Sequence, residues 1–433
     1  MSLMKKIVVG ILTWESRLII RKYKPFVVAV TGSVGKTSTK DAIYDALKDS
    51  DGFMRKSDKG FNSEIGLPLT IIGVPNAWRD FGGWLRNIFA GLKLLLSHAN
   101  YPDCLILEVG ADHPGDIRKV AKWLKPDIAV ITRISRTPVH VEFFKSPEEV
   151  FEEKAALAEA VKPGGTLVVF ADDEKVMSLG ERVKARGVSV LSYGFSENAS
   201  VRGSDIKVLY EEGAPAGISF DLRYEGVSNL VSVKGVIGET QVYPILAAVA
   251  VAKAKGVDRE SVSKTLYYSK APRGRMNLLP GVNGSTLIDD TYNSSPDAVI
   301  AAINVFKGLQ CAGSKIAVLG DMMELGKFSA TEHRRMGEMA PRFVDRLVTV
   351  GQRSKLTAEE ALKIGMTSEN VKTFDNSRDA ATHLASIVKS GDIVLIKGSQ
   401  SIRMERITAA LLREPEKAAK LLVRQEREWL AKE

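Results

Sequence analysis

The sequence is poor in cysteine, in histidine and in long apolar runs, and each shortage closes off a class of function. Its 433 residues include two cysteines. Cys104 and Cys311 are far apart and have no C-x-x-C spacing, so neither a disulfide framework nor a zinc site is expected. Both read as free thiols of a reducing cytoplasm. The apolar start at residues 7–14, behind Lys5 and Lys6, imitates a signal peptide but is too short to span a bilayer. Glu15, Arg17, Arg21 and Lys22 interrupt it, and no small-residue cleavage site follows. Basic residues are nowhere interleaved with aromatics as on a single-strand-binding face, so nucleic acid is not an expected partner. The second half carries no G-x-G-x-x-G, which argues against a dinucleotide. No Asn-Lys-x-Asp appears, which argues against a GTPase switch. What remains is an ordinary globular composition, 45% hydrophobic and 26% charged, with a net charge of +9 that suits an acidic partner. The length predicts two or three domains.

The most informative segment is Thr31-Gly32-Ser33-Val34-Gly35-Lys36-Thr37-Ser38. It follows a strand-like run and opens a helix-like one, as a phosphate-binding loop does. Glycines let the backbone N–H groups turn inward, the helix adds its dipole, Lys36 neutralises charge, and the Thr37 hydroxyl suits Mg²⁺. The eight-residue pattern asks for one more glycine, at the place of Val30. The loop is therefore the short T-G-x-x-G-K-T form, more typical of ATP-dependent ligases than of signalling GTPases. Glu108 ends an apolar strand where such proteins hold the metal. His140 and Glu142 follow another strand at the carboxyl end of a parallel sheet.

Strand-like runs at 26–31, 103–109, 127–132 and 165–170 alternate with helical ones, predicting an α/β domain with a parallel sheet. Runs at 207–210, 217–224 and 230–236 without helices predict an antiparallel extension. Helices at 242–255 and from Arg259 lead to a Pro/Gly hinge around 271–275. A second alternation, with strands at 285–289, 315–319, 346–350, 371–374 and 392–396, predicts a Rossmann-like C-terminal domain. The expected division is an amphipathic helix over 1–25, an ATP-binding domain over 26–272, a C-terminal domain over 273–413 and a charged helix over 414–433. On the first helix Ile7, Ile11, Trp14 and Leu18 share one side, which suits packing on the body or lying on a membrane. Residues 76–100 place Trp78, Phe81, Trp84, Leu85, Ile88, Phe89, Leu92, Leu95 and Leu96 at helical spacing, again as a buried face or a membrane contact.

Together these segments resemble the Mur ligase family, in particular its D-alanyl-D-alanine-adding branch (MurF). The resemblance is carried by residues 31–40, 61–70 (F-N-S-E-I-G-L-P-L-T), 107–111, 140–144 (H-V-E-F-F), Lys154, 274–276 (G-R-M), 289–297 (D-D-T-Y-N-S-S-P-D), 319–326 (L-G-D-M-M-E-L-G) and 397–399 (K-G-S). It implies an ATP-dependent ligase of peptidoglycan biosynthesis that makes an acyl phosphate and then an amide, joining a UDP-muramoyl tripeptide to D-Ala-D-Ala. It implies ATP and Mg²⁺ as cofactors, with Gly32, Ser33, Val34, Gly35, Lys36, Thr37, Ser38, Asn62, Arg275 and Asp290 around the nucleotide. Thr37, Glu108, His140 and Lys154 would serve the metals, with Lys36, His140 and Lys154 closest to the chemistry. Lys154 matches a lysine carried as a carbamate; that requires a neutral amine, so a depressed pKa is expected. On the residues alone, Lys154 is a surface lysine in a Glu-rich helix. Asn293, Asp297, Lys397, Ser399 and Arg403 would face the amine substrate.

Three departures stand out. Thr240, Gln241 and Pro244 occupy the His and the two Asn places of a family motif in which an Asn reads adenine, leaving the Gln241 amide as a substitute. Lys-Gly-Ser-Arg becomes Lys397-Gly-Ser-Gln400, with Arg403 the next cation. Before Thr31 there is room for one helix only, where the family has a UDP-binding domain. A monomer is expected, cytoplasmic or membrane-peripheral. A divergent amide ligase with a lipid-linked acceptor and a non-catalytic nucleotide binder remain alternatives.

Overall fold

The computed structural model describes residues 3–49, 52–58, 60–78, 80–135, 143–258 and 272–431. It is built on two sheets. The first has nine strands in the order β2-β3-β1-β4-β5-β6-β7-β8-β9. β1 (Phe26–Thr31), β2 (Met54–Lys56), β3 (Cys104–Glu108), β4 (Ile128–Ile131), β5 (Thr166–Phe170) and β6 (Ser189–Gly194) run parallel. β7 (Val201–Glu211) joins β6 in parallel, and β8 (Ala214–Tyr224) and β9 (Val227–Lys234) close the edge as antiparallel hairpins. The central strands are continuous Val/Ile/Leu/Ala runs because both faces are covered: every residue of β3 and β4 is buried. One face carries α2 (Lys36–Leu47) and, later, α9 (Val242–Lys255). Between them come α3 (Gly66–Ile72), α4 (Phe81–Leu96), α5 (Asp116–Leu124), α6 (Pro147–Glu159) and the short α7 (Glu174–Met177) and α8 (Leu179–Lys184).

The second sheet has the order β10-β11-β15-β12-β13-β14, with β10 (Asn277–Pro280) antiparallel to β11 (Thr286–Asp290). β12 (Lys315–Gly320), β13 (Arg346–Val350), β14 (Val371–Phe374) and β15 (Ile393–Lys397) are parallel. The α/β class and the antiparallel extension expected from the sequence are both present. The helix expected from Arg259 lies outside the described residues. The apolar core of the first sheet continues into Ile288, Ile303, Phe306 and Leu319 of the second, so the two units meet through a shared interior.

Two expectations need correction. The tail is not one charged helix: it is two turns, Ala418–Leu421 and Arg427–Leu430, separated by a break. Leu422 and Arg424 are buried, and Arg424 has φ 58, so the chain is drawn inward where a continuous helix would have kept its charges in water. The first helix, α1 (Leu3–Tyr23), packs on α3 and α4, but through the other face from the one its apolar spacing suggested. Leu12, Glu15, Ser16 and Ile19 are buried, while Ile7 and Trp14 are exposed.

Glu15 is the odd member of that buried face. Its carboxylate lies against Gly91 of α4, where a Cβ would come within 2.2 Å of Oε2, and neither oxygen has a hydrogen-bond partner among the described residues. Burial pushes its pKa from 4.5 up to about 7. Between those values the unfolded chain releases a proton that the folded one keeps. Stability therefore falls as pH rises from about 4.5 to about 7 and is level above that. Glu15→Gln removes the ionisation, so its melting temperature should gain on the wild type between pH 5 and pH 8. An unchanged difference at the two pH values would show that Glu15 is solvated.

Candidate functional site

The phosphate-binding loop lies where the strand order reverses about β1, whose neighbours are β3 and β4, the place where open α/β sheets bind ligands. Gly32 has φ 148, and a Cβ there would overlap the Thr132 hydroxyl at 1.9 Å. Gly35 caps α2 with φ 87, a left-handed conformation that favours glycine. The Ser33 and Val34 N–H groups both donate to the Arg133 carbonyl at 2.9 and 3.2 Å. Since the first helical bond is Thr39 N–H to the Gly35 carbonyl, the amides left for an anion are the first-turn ones of Lys36, Thr37 and Ser38. Lys36 Nζ folds back to the Gly32 carbonyl at 2.9 Å.

Register delivers the carboxylate. Val30 pairs with Glu108 across β1 and β3, so Glu108 stands beside the loop. Its Oε2 accepts from the Thr37 hydroxyl at 2.9 Å and its Oε1 from the Asn62 amide at 3.2 Å. Asn62 is held in turn by the Gly110 N–H on its own carbonyl. Hydroxyl and carboxylate are the hard oxygen donors that Mg²⁺ prefers, so Thr37 and Glu108 fit such an ion.

Lys154 is buried on α6. Its neighbour Glu153 accepts the N–H groups of Gly115, Ile117 and Arg118 at 2.7–3.0 Å, clamping α6 to the first turn of α5. Desolvation, then the nearby Lys36 charge, bring the Lys154 amine down to about 7, while Glu153 and Asp112 act in the opposite sense. Lys36 is lowered as well, first by burial and then against the pull of Glu108. His140 and Glu142 lie outside the described residues.

A cavity of about 570 Å³ opens over the loop between the two sheets. Ser33, Val34, Gly35, Lys36, Thr37, Asn62 and Glu108 line it from one side, and Arg275, Asn293, Ser399 and Arg403 from the other. Arg275 stacks its guanidinium on Tyr292, 4.1 Å from the ring centre. Gln241 is not on the cavity: its amide donates to the Arg275 carbonyl at 3.1 Å, holding the hinge. Lys397 and Asp290 do not face open space either. They form a buried pair at 2.6 Å beneath the wall, with Lys397 also reaching the Asn293 carbonyl. Asp297 sits in the first turn of helix Pro296–Gly308, off the cavity.

Besides Ser399 and Arg403, which were expected, this wall is shaped by His333, Glu405, Arg424 and Trp429, which gave no sequence signal. The Ser399 hydroxyl accepts the Met323 N–H at 2.9 Å. The buried His333 accepts the Met322 N–H on Nε2 at 3.0 Å and approaches the Ser329 carbonyl through Nδ1 at 2.7 Å. Burial lowers its pKa, and the neutral tautomer with Nδ1–H suits both contacts. Glu405 bonds Arg403 Nε at 2.5 Å and Arg424 Nη1 at 3.2 Å, while Arg403 Nη1 donates to the Trp429 carbonyl at 2.8 Å. Trp429 thereby becomes part of the cavity lining.

The same chain matches the models of the Mur ligase middle domain over residues 87–252 and of the Mur ligase glutamate ligase domain over residues 274–400. The UDP-N-acetylmuramoyl-tripeptide--D-alanyl-D-alanine ligase of Mycobacterium leprae (strain TN) is 30% identical over 405 residues, 89% of this chain and 73% of that protein. The chain belongs to the Mur ligase family. The enzyme of the same name from Bacillus subtilis (strain 168) is 28% identical over 390 residues, 90% of this chain and 76% of its own. Among solved structures, the MurF ligase of Thermotoga maritima in complex with ADP superposes with a TM-score of 0.75 at 28% identity, covering 94% of this chain and 84% of that one. The cavity of this Mur ligase family member draws on both sheets, and on the tail.

Arg424 is the test of that tail. It is 3% exposed and also donates to the Thr291 and Tyr292 carbonyls. Arg424→Ala leaves Glu405 with one partner fewer in a buried setting, so it should cost about 3 kcal/mol in urea unfolding. It should also expose Trp429 to a fluorescence quencher. A loss below about 0.5 kcal/mol, the range of an ordinary surface substitution, would mean the tail is not fastened this way.

Proposed function

We propose that the chain is an ATP-dependent ligase that joins a UDP-N-acetylmuramoyl tripeptide to D-alanyl-D-alanine through an acyl phosphate. The observation that carries the reading is the cavity in which Lys36, Thr37, Asn62 and Glu108 from the first sheet face Arg275, Asn293 and Ser399 from the second. The activities for which the relatives are named support it.

In this reading the substrate carboxylate oxygen attacks the γ-phosphorus of ATP, and the bond to ADP breaks. The incoming amine then attacks the acyl carbon and loses a proton, and phosphate leaves as the amide forms. The protein's contribution is positioning and charge neutralisation. The amides of Lys36, Thr37 and Ser38 and the Lys36 ammonium bind phosphate oxygens, and the Arg275 guanidinium approaches from the hinge. Thr37 and Glu108 would hold Mg²⁺, which would neutralise phosphate charge. Asn62 orients Glu108, and Asn293 and Ser399 line the side open to the amine. Asp290 and Lys397 act through their mutual ion pair as positioning residues. The neutral Lys154 amine forms an N–C bond to CO₂ and releases a proton to solvent, giving a carbamate anion beside Lys36. We also take the working form to be a cytoplasmic monomer with peripheral membrane contact; among the described residues no helix is long and apolar enough to cross a membrane.

Phosphate release from Mg-ATP should require tripeptide precursor and D-Ala-D-Ala together, and Lys36→Ala should lower turnover by about a hundredfold or more. Release that stays at background with both substrates present would sink the assignment. Separately, ¹³C-bicarbonate should give a carbamate carbon resonance that is absent from Lys154→Met. With the amine near 7, protonation below that value removes the nucleophile, so the resonance should fade from pH 8 to pH 6. A spectrum identical in the variant would exclude the carbamate.

A further inference from the structure

We propose that α1 and α4 form a docking face for an anionic phospholipid bilayer. This deepens the peripheral-contact reading above and is independent of the ligase chemistry.

The two helices lie side by side, their C-termini tied by Lys22 Nζ, which donates to the Leu94 and Leu95 carbonyls at 2.9 Å, and by Tyr23, which donates to Leu94 at 2.8 Å. Further back, Glu15 meets Gly91, so the alignment is parallel. Beside this seam α4 leaves an apolar stripe in the open. Phe81 is 58% exposed, Phe89 66% and Leu96 86%, with Leu85 between them. Their spacing of about four residues keeps them on one side of the helix. The loop before α4 adds Trp78, 70% exposed, whose carbonyl accepts from the Trp84 indole at 3.1 Å.

On α1 the exposed apolar residues Ile7 and Trp14 lie away from the buried face. Going round each helix from the seam, the buried side is met in one sense and the exposed apolar side in the other, and the senses are opposite for α1 and α4. For parallel neighbours that places both stripes on the same outer surface. Neither helix exposes a carboxylate: α4 has no acid, and the one acid of α1, Glu15, is buried.

Charge decides the occupant. Along the other flank of α1 runs a groove of about 800 Å³ lined by Arg17, Arg21, Lys24, Lys119, Lys122 and Lys125. Its acid, Asp127, is already bonded to Lys162 and to the Val27 N–H. Arg17 stacks on Trp123 at 5.7 Å. A second copy of this chain would bring a matching cationic groove against the first, whereas a surface of lipid phosphates answers both features at once. Apolar and aromatic side chains enter the acyl boundary while the neighbouring cations meet headgroups.

The test is co-sedimentation of the full chain with phosphatidylglycerol/phosphatidylcholine vesicles and with phosphatidylcholine alone, at two salt concentrations. Binding should be at least tenfold stronger to the anionic vesicles and weaken with salt. It should fall at least tenfold in Phe81→Ser/Phe89→Ser and in Lys119→Glu/Lys122→Glu, while melting temperature and phosphate release in solution stay as in the wild type. Wild-type binding that either pair of substitutions leaves intact would overturn the assignment of this face but keep peripheral contact. No binding to any vesicle would overturn both, and neither result touches the ligase reading. A dimer in light scattering that Phe81→Ser/Phe89→Ser dissolves would make the occupant a second copy and also overturn the proposal.

Discussion

Two lysine amines, those of Lys36 and Lys154, lie within electrostatic reach of each other at the centre of this molecule, and much of the site can be read as the means of holding them there. Burial lowers the readiness of both to carry charge, and the Lys36 charge lowers that of Lys154 further. Such a pair is tolerable only near compensating acids, and the fold supplies them by register and by capping. The β1–β3 pairing sets Glu108 at the loop, and Glu153 fastens α6 to the N-terminus of α5, which fixes Lys154 in depth. The excess positive potential is what a polyphosphate and a carboxylate would find on entering.

The facing wall is governed by the same rule in a different form. There the buried charges are matched within the protein: Asp290 with Lys397, and Glu405 with both Arg403 and Arg424. Of the side chains that meet the cavity, Asn293 is held through its carbonyl by Lys397, while Arg275 rests on Tyr292 and Ser399 on the Met323 N–H. One wall keeps its charge for a ligand, while the other spends it on shape.

Much of the strand framework was legible because β-branched runs buried on both faces have no other use. What escaped has a local reason. Met54–Lys56 is three residues long with two cations, too short to show a period. Asn277–Pro280 follows a Pro/Gly linker and ends in proline. The tail looked helical because its charges recur, but the burial of Arg424 depends on Glu405 and on two distant carbonyls. The face of α1 was misjudged because Glu15 counted as a polar break, when the absence of a side chain at Gly91 makes room for it inside. In the site, the phosphate loop and Glu108 were visible as motif and strand end. Glu153, His333 and Trp429 were not, since each matters only through a partner far off in sequence. Gln241, Asp290 and Lys397 were picked out as ligand contacts, and in the folded chain Asp290 and Lys397 bond each other while Gln241 bonds the Arg275 carbonyl.

The two glycines of the loop are not constrained alike. Gly35 is needed by its own backbone, at a helix start with positive φ. Gly32 is needed by its own backbone, at φ 148, and by the neighbouring strand as well, because Thr132 occupies the volume that any side chain would take. A mutational scan scored only on protein abundance, with no nucleotide in the assay, would therefore flag Gly32 as intolerant. A motif commonly catalogued by what it binds is, at this position, partly a rule about how close two strands can stand.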